Sequence, residues 1–195
     1  MKRYTIFAGV NGAGKSTFYG SIRDSLKGEK RINTDEMVAR LGSWTDDSLQ
    51  MRCAKEAIIL IKEYLGAGAS FNQETTLTGK GILRNIKLAQ SKGYEVHLHY
   101  VGVDNVEIAF ERVKKRVQLG GHGIAEEDIR RRYKNSFKNL NEAFQYCDIL
   151  TFYDNSCDFK NVAVFENGNL VYKSKEIPKW LKENDDLKNL YDRYF

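Results

Sequence analysis

A glycine-rich segment near the start of the sequence has the residue types and spacing of a phosphate-binding loop. Residues 9–17 read GVNGAGKST and satisfy the pattern G-x-x-x-x-G-K-[ST] between a predicted strand and a predicted helix. In that setting, backbone N–H groups and the positive end of the helix converge on phosphate oxygens. Lys15 is expected to reach the β- and γ-phosphates of ATP, and the Ser16 hydroxyl to ligate Mg²⁺. The predicted ATP-binding residues are Gly9, Asn11, Gly12, Ala13, Gly14, Lys15, Ser16 and Thr17.

A carboxylate follows the predicted second strand, in the segment Asn33-Thr34-Asp35-Glu36. Because ligands of open α/β sheets bind beyond the carboxyl ends of the strands, Asp35 is expected to point into the crevice that holds the phosphates. There it could accept the proton of a hydroxyl that attacks phosphorus, as phosphoryl transfer to an acceptor requires. Position alone supports equally well a second interpretation, in which Thr34 or Asp35 caps a helix that begins at Glu36.

Polar residues also end the predicted third strand, where residues 71–76 read FNQETT. Adjacent carboxylate, amide and hydroxyl groups at the end of a strand suit hydrogen bonding to a polar ligand. The alternative is a capped turn into a helix over residues 80–91, with Thr76 or Thr78 as the cap.

Positive charge is concentrated in residues 112–138, which carry nine Lys or Arg and three acidic residues, a net charge of +6 that leaves −1 for the rest of the chain. The arginines on the two predicted helices of this window are Arg112, Arg116, Arg130, Arg131 and Arg132. The glycine-rich link at residues 120–123 is typical of a mobile lid, and arginines that close over a transferring phosphoryl group would neutralise its charge. The alternative is a solvated helix face. Aromatic residues are sparse in this window, which argues against nucleic-acid binding.

Two other patterns have structural interpretations. Asp104 follows an apolar strand and could position a metal, but the spacing of Asp104 and Glu107 favours a capping box at a helix start. His97 and His99 alternate onto one face of a strand without a third ligand nearby in the sequence, which argues against a metal site.

The elements that must position these residues alternate between short β-rich runs and longer helical runs. Strands are predicted over residues 3–8, 30–34, 69–74, 95–101 and 148–153, and helices over 15–26, 46–65, 80–91, 105–118 and 126–146. This alternation predicts an α/β fold with a mostly parallel sheet flanked by helices. Asn167-Gly168 predicts a hairpin over residues 161–173, and an amphipathic helix is expected over 179–194. Without a linker, residues 1–195 are expected to form one domain with a core at about 3–155 and C-terminal appendages at 160–195.

Composition narrows the class of protein. A chain of 195 residues with 12% aromatic residues can bury a core of its own. Its three widely spaced cysteines match neither a disulfide framework nor a C-x-x-C metal site, and predict reduced thiols in a cytoplasmic protein. No apolar run approaches the ~20 residues of a membrane span, and the apolar start is too short for a signal peptide.

Several segments together resemble a known family. The series GVNGAGKST, NTDE, FNQETTL, YEVHLHYVGVD, RVKKRVQLGGHGIAEEDIRRRY and YDNS, in this order, closely resembles the zeta-toxin family of P-loop kinases. The resemblance covers roughly residues 3–155, and the ETTL segment with the GGH and DIRRRY segments is more specific than the phosphate loop.

The resemblance implies an ATP-dependent kinase of the P-loop fold. The implied substrate is UDP-N-acetylglucosamine or a related UDP-sugar, phosphorylated at the 3′-hydroxyl of the amino sugar, and many members are toxins held by a separate antitoxin protein. Lys15 and Ser16 would hold ATP and Mg²⁺, and Asp35 would be the general base. Arg116 and Arg131, or Arg130 or Arg132 in place of Arg131, would grip the γ-phosphate. The implied contacts to the nucleotide sugar come from Glu74, Thr75 and Thr76.

Two other functions remain open from the sequence. A P-loop kinase could act on another small hydroxyl substrate, such as a nucleoside, an antibiotic or a simple sugar. A nucleotide-dependent binding switch would use the same phosphate loop without acceptor chemistry. The acid after the second strand and the lid-like arginine cluster favour a kinase.

Overall fold

The computed structural model describes residues 1–44 and 46–195 of the chain, and the strands of this part form one seven-stranded sheet. The strands are β1 (Arg3–Ala8), β2 (Lys30–Ile32), β3 (Phe71–Thr75), β4 (Glu95–Gly102), β5 (Ile149–Asp154), β6 (Lys160–Glu166) and β7 (Asn169–Lys173). They lie in the order β2-β3-β1-β4-β5-β6-β7. The first five are parallel, and β6 and β7 continue the sheet as an antiparallel hairpin. The predicted α/β class with a mostly parallel sheet is confirmed.

Helices connect the strands and cover both faces of the sheet. The α-helices are α1 (Lys15–Ile22), α2 (Thr34–Leu41), α3 (Asp47–Ala67), α4 (Lys80–Ser91), α5 (Val106–Gln118), α6 (Glu126–Ala143), α7 (Lys179–Lys182) and α8 (Lys188–Tyr194). Tyr4 and Ile6 of β1 pack in one cluster with α3, α4 and α6, whereas Phe7 packs in a second cluster with α1 and α5. This alternation places β1 in the buried centre of the sheet. No helix of the described residues is long and apolar enough to cross a bilayer.

The register of the sheet brings the ends of its central strands to one level. Ala8, the last residue of β1, pairs with Thr75 on one side and with Tyr100 on the other. Ile32, the last residue of β2, pairs with Gln73. The segments that leave β1, β2 and β3 therefore emerge side by side at the carboxyl edge, where open α/β sheets bind their ligands.

The C-terminal segment differs from the single helix predicted over residues 179–194. It folds as α7, a 3-10 turn at Asp185–Leu187 and α8. The break occurs because the Asn184 side chain accepts a hydrogen bond from the Asp186 N–H at 3.0 Å, which caps a new turn. Trp180 and Leu181 are nevertheless buried in the larger core cluster, as the amphipathic pattern predicts.

The cap of α5 also differs from the prediction. The side chain of Asn105, and not that of Asp104, accepts the Ile108 N–H at 3.0 Å. The carboxylate of Asp104 instead accepts the backbone N–H of Trp180 at 3.2 Å. The predicted capping box is therefore wrong by one residue, because Asp104 fixes the C-terminal segment to the end of β4.

Candidate active site

The phosphate loop packs so closely on its neighbours that three of its positions require glycine. Gly9, Gly12 and Gly14 have φ angles of 139°, 81° and 101°, which side-chain-bearing residues rarely adopt. A Cβ at Gly9 would collide with the carbonyl oxygen of Val101, and one at Gly12 with the carbonyl oxygen of Ala109. The loop is thus fixed between the end of β4 and α5, at the start of α1.

Lys15 lies inside this loop. Its side chain is buried, and its Nζ donates to the Val10 carbonyl oxygen at 3.1 Å. Burial lowers the pKa of the Lys15 ammonium, whereas the nearby carboxylates of Glu74 and Asp35 raise it. The side chain is therefore held in one orientation between the phosphate loop and two carboxylates.

Two polar cavities meet beside Lys15. The first has a volume of about 390 Å³ and lies over the phosphate loop, bounded on the far side by Arg112, Arg116 and Asn155. The second has a volume of about 490 Å³ and lies beyond β2 and β3. Among the residues that the structure describes, four line both cavities: Asn11, Lys15, Asp35 and Glu74. We call the first the donor cavity and the second the acceptor cavity.

Asp35 is available for chemistry because another residue caps its helix. The Asn33 side-chain oxygen accepts the backbone N–H of Asp35 at 2.9 Å and that of Glu36 at 3.4 Å. The helix α2 therefore begins at Thr34, and the predicted cap at Thr34 or Asp35 is wrong. The Asp35 side chain is 45% exposed, and its Oδ2 lies 3.4 Å from Nε2 of His122.

The link between α5 and α6 brings Arg116 and His122 to the site. Arg116 Nε donates to the His122 carbonyl oxygen at 3.1 Å, and an Nη of Arg116 lies 3.1 Å from His122 Nε2. The imidazole also stacks on Trp44 with ring centroids 3.8 Å apart. Burial lowers the pKa of His122. The glycine-rich link therefore contacts Asp35 on one side and holds Arg116 at the donor cavity on the other.

The three consecutive arginines of α6 lie in different surroundings. Arg132 donates to the Asn11 side-chain oxygen at 3.1 Å and so contacts the phosphate loop directly. Arg131 pairs with Asp128 at 2.5 Å and lines the acceptor cavity. Arg130 is paired with Glu107 and Glu126 and lines neither of the two cavities.

Glu74 lies at the centre of a hydrogen-bond network. Its Oε1 accepts the Ser16 hydroxyl at 2.7 Å, and its Oε2 accepts Arg31 at 2.7 Å and the Asn33 amide at 2.9 Å. The Glu74 side chain is only 7% exposed. Both of its oxygens thus have protein partners, and the carboxylate connects the phosphate loop to β2 and α2.

The threonines after Glu74 line the acceptor cavity. The Thr75 hydroxyl accepts the Leu77 N–H at 3.0 Å, and the hydroxyls of Thr76 and Thr78 lie 2.9 Å apart. Helix α4 begins after Gly79 without a side-chain cap. The predicted cap at Thr76 or Thr78 is therefore wrong, because these hydroxyls bond to each other.

Sequence reasoning passed over three residues of this site. From the sequence, Arg31 stands out only as part of a predicted strand, His122 only as part of the glycine-rich link, and Asn155 only as part of a segment of the family resemblance. Asn155 donates to the Ala13 carbonyl oxygen at 2.7 Å and thereby closes the donor cavity from the end of β5. A basic side chain in a three-residue strand just before Asn33 was the one local signal for Arg31.

The fold and this site define a P-loop kinase-like domain. The phosphate loop follows the central strand of a parallel sheet, and carboxylates from two neighbouring strand ends face it. A sequence model described as AAA domain matches residues 5–140, and the chain belongs to that family. An uncharacterised protein of Haemophilus influenzae is 35% identical over 138 residues, which cover 68% of this chain and 94% of that protein.

Solved structures share the fold along the whole chain. Chains of the AvrRxo1-ORF1:AvrRxo1-ORF2 complex, with sulphate ions and with ATP, superpose with TM-scores of 0.70 and 0.67 at 15% identity, over 99% of this chain and 63% of theirs. A chain of the PezAT chromosomal toxin-antitoxin system of Streptococcus pneumoniae superposes with a TM-score of 0.59 at 18% identity, over 100% of this chain and 80% of that one. The chain thus spans less than two thirds of the first of these proteins, and the likeness is one of fold.

Proposed function

We propose that the protein is an ATP-dependent kinase that phosphorylates a hydroxyl of a small acceptor. We further propose that this acceptor is UDP-N-acetylglucosamine or a related UDP-sugar, phosphorylated at the 3′-hydroxyl of its amino sugar. The observation that carries the proposal is the meeting of the donor and acceptor cavities at Lys15 and Asp35. A kinase needs this arrangement because the attacking hydroxyl and the leaving oxygen must lie in line across the phosphorus.

The donor cavity supports the binding of ATP. Residues of the phosphate loop line this cavity at the start of α1, where backbone N–H groups and a protonated Lys15 would meet the phosphates. ATP is also present in one of the complexes that share the fold. The loop and Lys15 would bind the β- and γ-phosphates and stabilise the charge that moves to the leaving oxygen.

The residues of the donor cavity fit Mg²⁺. Among the described residues, no group of three or more His, Cys, Asp or Glu is placed to hold a metal. Mg²⁺ suits a site with few protein ligands, because it keeps several waters and takes its other ligands from substrate phosphates. The Ser16 hydroxyl would be its protein ligand. When bound, Mg²⁺ would neutralise negative charge on the β- and γ-phosphate oxygens.

Asp35 would act as the general base. Its carboxylate lies at the junction of the two cavities and is free of helix capping. The acceptor hydroxyl gives its proton to Asp35 while its oxygen forms a bond to the γ-phosphorus. The bond from the γ-phosphorus to the β–γ bridging oxygen breaks, and that oxygen leaves with ADP.

Arginines from two helices would stabilise the transferring group. Arg116 lines the donor cavity, and Arg132 contacts the phosphate loop through Asn11. We propose these two as the γ-phosphate ligands. Arg131 and Arg132 both line the acceptor cavity, but Arg131 pairs with Asp128 and not with Asn11, so we propose Arg131 for an anionic group of the acceptor.

The lining of the acceptor cavity supports a UDP-sugar. Apart from the shared residues, Ile32 and Gly79, it is lined by amide and hydroxyl groups and by two arginines, Arg131 and Arg132. The amides and hydroxyls are those of Asn33, Thr34, Gln73, Thr75, Thr76, Thr78 and Asn135. Such groups match the hydroxyls of a sugar, and the Arg131 guanidinium matches a phosphate group of the acceptor. We propose that the enzyme acts in the cytoplasm, where ATP and nucleotide sugars are formed. The fold shared with a chain of a toxin-antitoxin system motivates the further proposal of a separate antitoxin partner.

Phosphorus NMR of the purified protein with ATP, Mg²⁺ and UDP-N-acetylglucosamine tests the proposal, with Lys15→Ala as the control. We expect a new phosphomonoester resonance with the wild-type protein and none with the variant. ADP and free phosphate alone would mean a different acceptor, and the panel would extend to other UDP-sugars, nucleosides, antibiotics and simple sugars. If no acceptor supported turnover of ATP, the proposal of a kinase would be wrong, and a nucleotide-dependent binding switch would be favoured.

A further inference from the structure

A chain of polar contacts links Ser16, at the exposed end of the phosphate loop, to the largely buried Arg31 on β2. Ser16 donates to Glu74 Oε1, and Arg31 donates to Glu74 Oε2, each at 2.7 Å. The side chains of Arg31 and Glu74 are 14% and 7% exposed. An ion pair so shielded from water has fixed geometry, because a buried charge is costly without its partner.

Arg31 also contacts side chains of three other elements. Its Nε and one Nη donate to Glu36 at 3.2 and 2.8 Å, and its other Nη donates to Asn72 at 3.3 Å. The guanidinium lies over the ring of Tyr19, 3.5 Å from the centroid. Arg31 thus joins α1, α2 and β3 around the single carboxylate of Glu74.

This arrangement determines which way the Ser16 hydroxyl points. A serine hydroxyl has one proton and two lone pairs. Because Glu74 Oε1 accepts that proton, the lone pairs of Ser16 are left for the donor cavity, which Ser16 lines. A metal ligand binds through a lone pair, so Glu74 presents Ser16 in the orientation that a cation requires.

We propose that Arg31 is a positioning residue for the metal-binding half of the nucleotide site. It acts through Glu74: the guanidinium and the Asn33 amide hold Oε2, which fixes Oε1 on the Ser16 hydroxyl. This inference rests on the nucleotide-binding part of the proposed function and needs no particular acceptor. It also gives Glu74 a role at the phosphate loop, in addition to its place on the wall of the acceptor cavity.

The competing explanation is that Arg31 only connects β2 and β3 to α1. The two explanations predict different effects of Mg²⁺ on the affinity for the nucleotide. A structural role would weaken nucleotide binding equally with and without Mg²⁺. A positioning role would reduce the gain in affinity that Mg²⁺ provides, because partners behind a metal ligand typically contribute about 10–100-fold to metal affinity.

The test measures the dissociation constant of a fluorescent non-hydrolysable ATP analogue, once with EDTA and once with saturating Mg²⁺. The variants are Arg31→Met and Glu74→Gln, the second keeping the side-chain volume at Glu74. Lys87→Met is the matched control, because Lys87 also pairs with a glutamate, Glu142 at 2.9 Å, and lies over a tyrosine, Tyr146 at 4.9 Å. Lys87 lines neither the donor nor the acceptor cavity.

We expect the ratio of the two dissociation constants to fall about tenfold or more in Arg31→Met and Glu74→Gln, and to stay at the wild-type value in Lys87→Met. Thermal unfolding of each variant shows whether it is folded, and Glu74→Gln decides alone if Arg31→Met is not. A wild-type ratio in a folded Arg31→Met or Glu74→Gln protein overturns the proposal, as does a wild-type protein whose binding Mg²⁺ does not tighten. A failure of the NMR assay to reveal an acceptor leaves this readout unaffected and concerns the acceptor alone.

Discussion

At the scale of single residues, the site depends on side chains that serve two cavities. Asn11, Lys15, Asp35 and Glu74 each line both the donor and the acceptor cavity. Lys15 is buried, whereas Asp35 is about half exposed and does not cap its helix. This difference suits their proposed roles, because a phosphate ligand must be preoriented and a base must meet an incoming hydroxyl.

Replacement of Asp35 tests the proposed base. We expect Asp35→Ala to bind the ATP analogue with a dissociation constant within about threefold of wild type, while kcat for phosphoryl transfer falls about 10²–10⁴-fold. The reason is that Asn33, not Asp35, caps α2, so that the helix keeps its cap. Fluorescence titration and phosphorus NMR measure the two quantities. Turnover at the wild-type rate would show that Asp35 is not the base.

The three arginines of α6 form a built-in comparison. We expect Arg132→Met to lower kcat about a thousandfold, because Arg132 contacts the phosphate loop through Asn11. Arg131→Met should mainly raise KM for the acceptor, because Arg131 lines the acceptor cavity and, unlike Arg132, pairs with Asp128 and not with Asn11 of the phosphate loop. Arg130→Met should change neither, since Arg130 pairs with Glu107 and Glu126 away from both cavities. Steady-state kinetics with varied ATP and acceptor separates these effects. A larger loss of kcat in Arg131→Met than in Arg132→Met would reverse the assignment.

At the scale of elements, the phosphate loop holds its shape because the neighbouring elements leave it no room. Gly12 and Gly28 both have positive φ angles, 81° and 97°, so that alanine at either costs about 1–2 kcal/mol of backbone strain. A Cβ at Gly12 would also collide with the Ala109 carbonyl oxygen of α5, whereas one at Gly28 would meet nothing within 4 Å.

Alanine at these two glycines should therefore separate backbone strain from the shape of the loop. We expect both Gly12→Ala and Gly28→Ala to lower Tm, but only Gly12→Ala to abolish binding of the ATP analogue. Calorimetry and fluorescence titration provide the measurements. Normal nucleotide affinity in Gly12→Ala would mean that the contact between the loop and α5 does not shape the site.

Features that depend on a local pattern in one element were predictable from the sequence, and features that depend on contacts between elements were not. The phosphate loop and the position of Asp35 were predictable because each depends on a local pattern at the end of one strand. The cap of α2 was not, because three adjacent short polar residues compete for it and only the folded geometry selects Asn33. Arg31 and His122 were missed because the carboxylates that place them in the site are distant in sequence: Arg31 meets Glu74 across 43 residues, and His122 meets Asp35 across 87. Ion pairs of this kind leave no spacing pattern.

At the scale of the whole molecule, stability should depend on pH through a partly buried histidine. His99 of β4 stacks on Phe7 with ring centroids 5.4 Å apart, and burial lowers its pKa to about 4. In the unfolded chain the same group titrates near 6.5. Between these values the unfolded state binds more protons, so the free energy of unfolding falls as pH falls, by up to about 1.4 kcal/mol per pH unit.

Urea unfolding at several pH values between 7 and 4 should show this dependence. We expect the decline of stability below pH 6.5 to be shallower in His99→Phe, in which an uncharged ring remains next to Phe7. Above pH 7 the free energies of unfolding of wild type and His99→Phe should differ by a constant amount, because His99 is then neutral in both the folded and the unfolded state. Equal slopes in wild type and His99→Phe would assign the acid sensitivity to other groups.

Residues 141–195 lie outside the family match at residues 5–140, yet they complete the core. Trp180 is 2% exposed, stacks on Phe137 of α6 at 5.8 Å, and donates its indole N–H to Asp154 of β5 at 3.0 Å. We expect Trp180→Ala to lower the free energy of unfolding by about 3–5 kcal/mol, as measured by urea titration. Val171→Ala is the control, because that residue is 53% exposed, and it should change stability little. If Trp180→Ala unfolded like the control, the C-terminal segment would be separable from the domain. The expected loss would instead show that β1 to α6 require it.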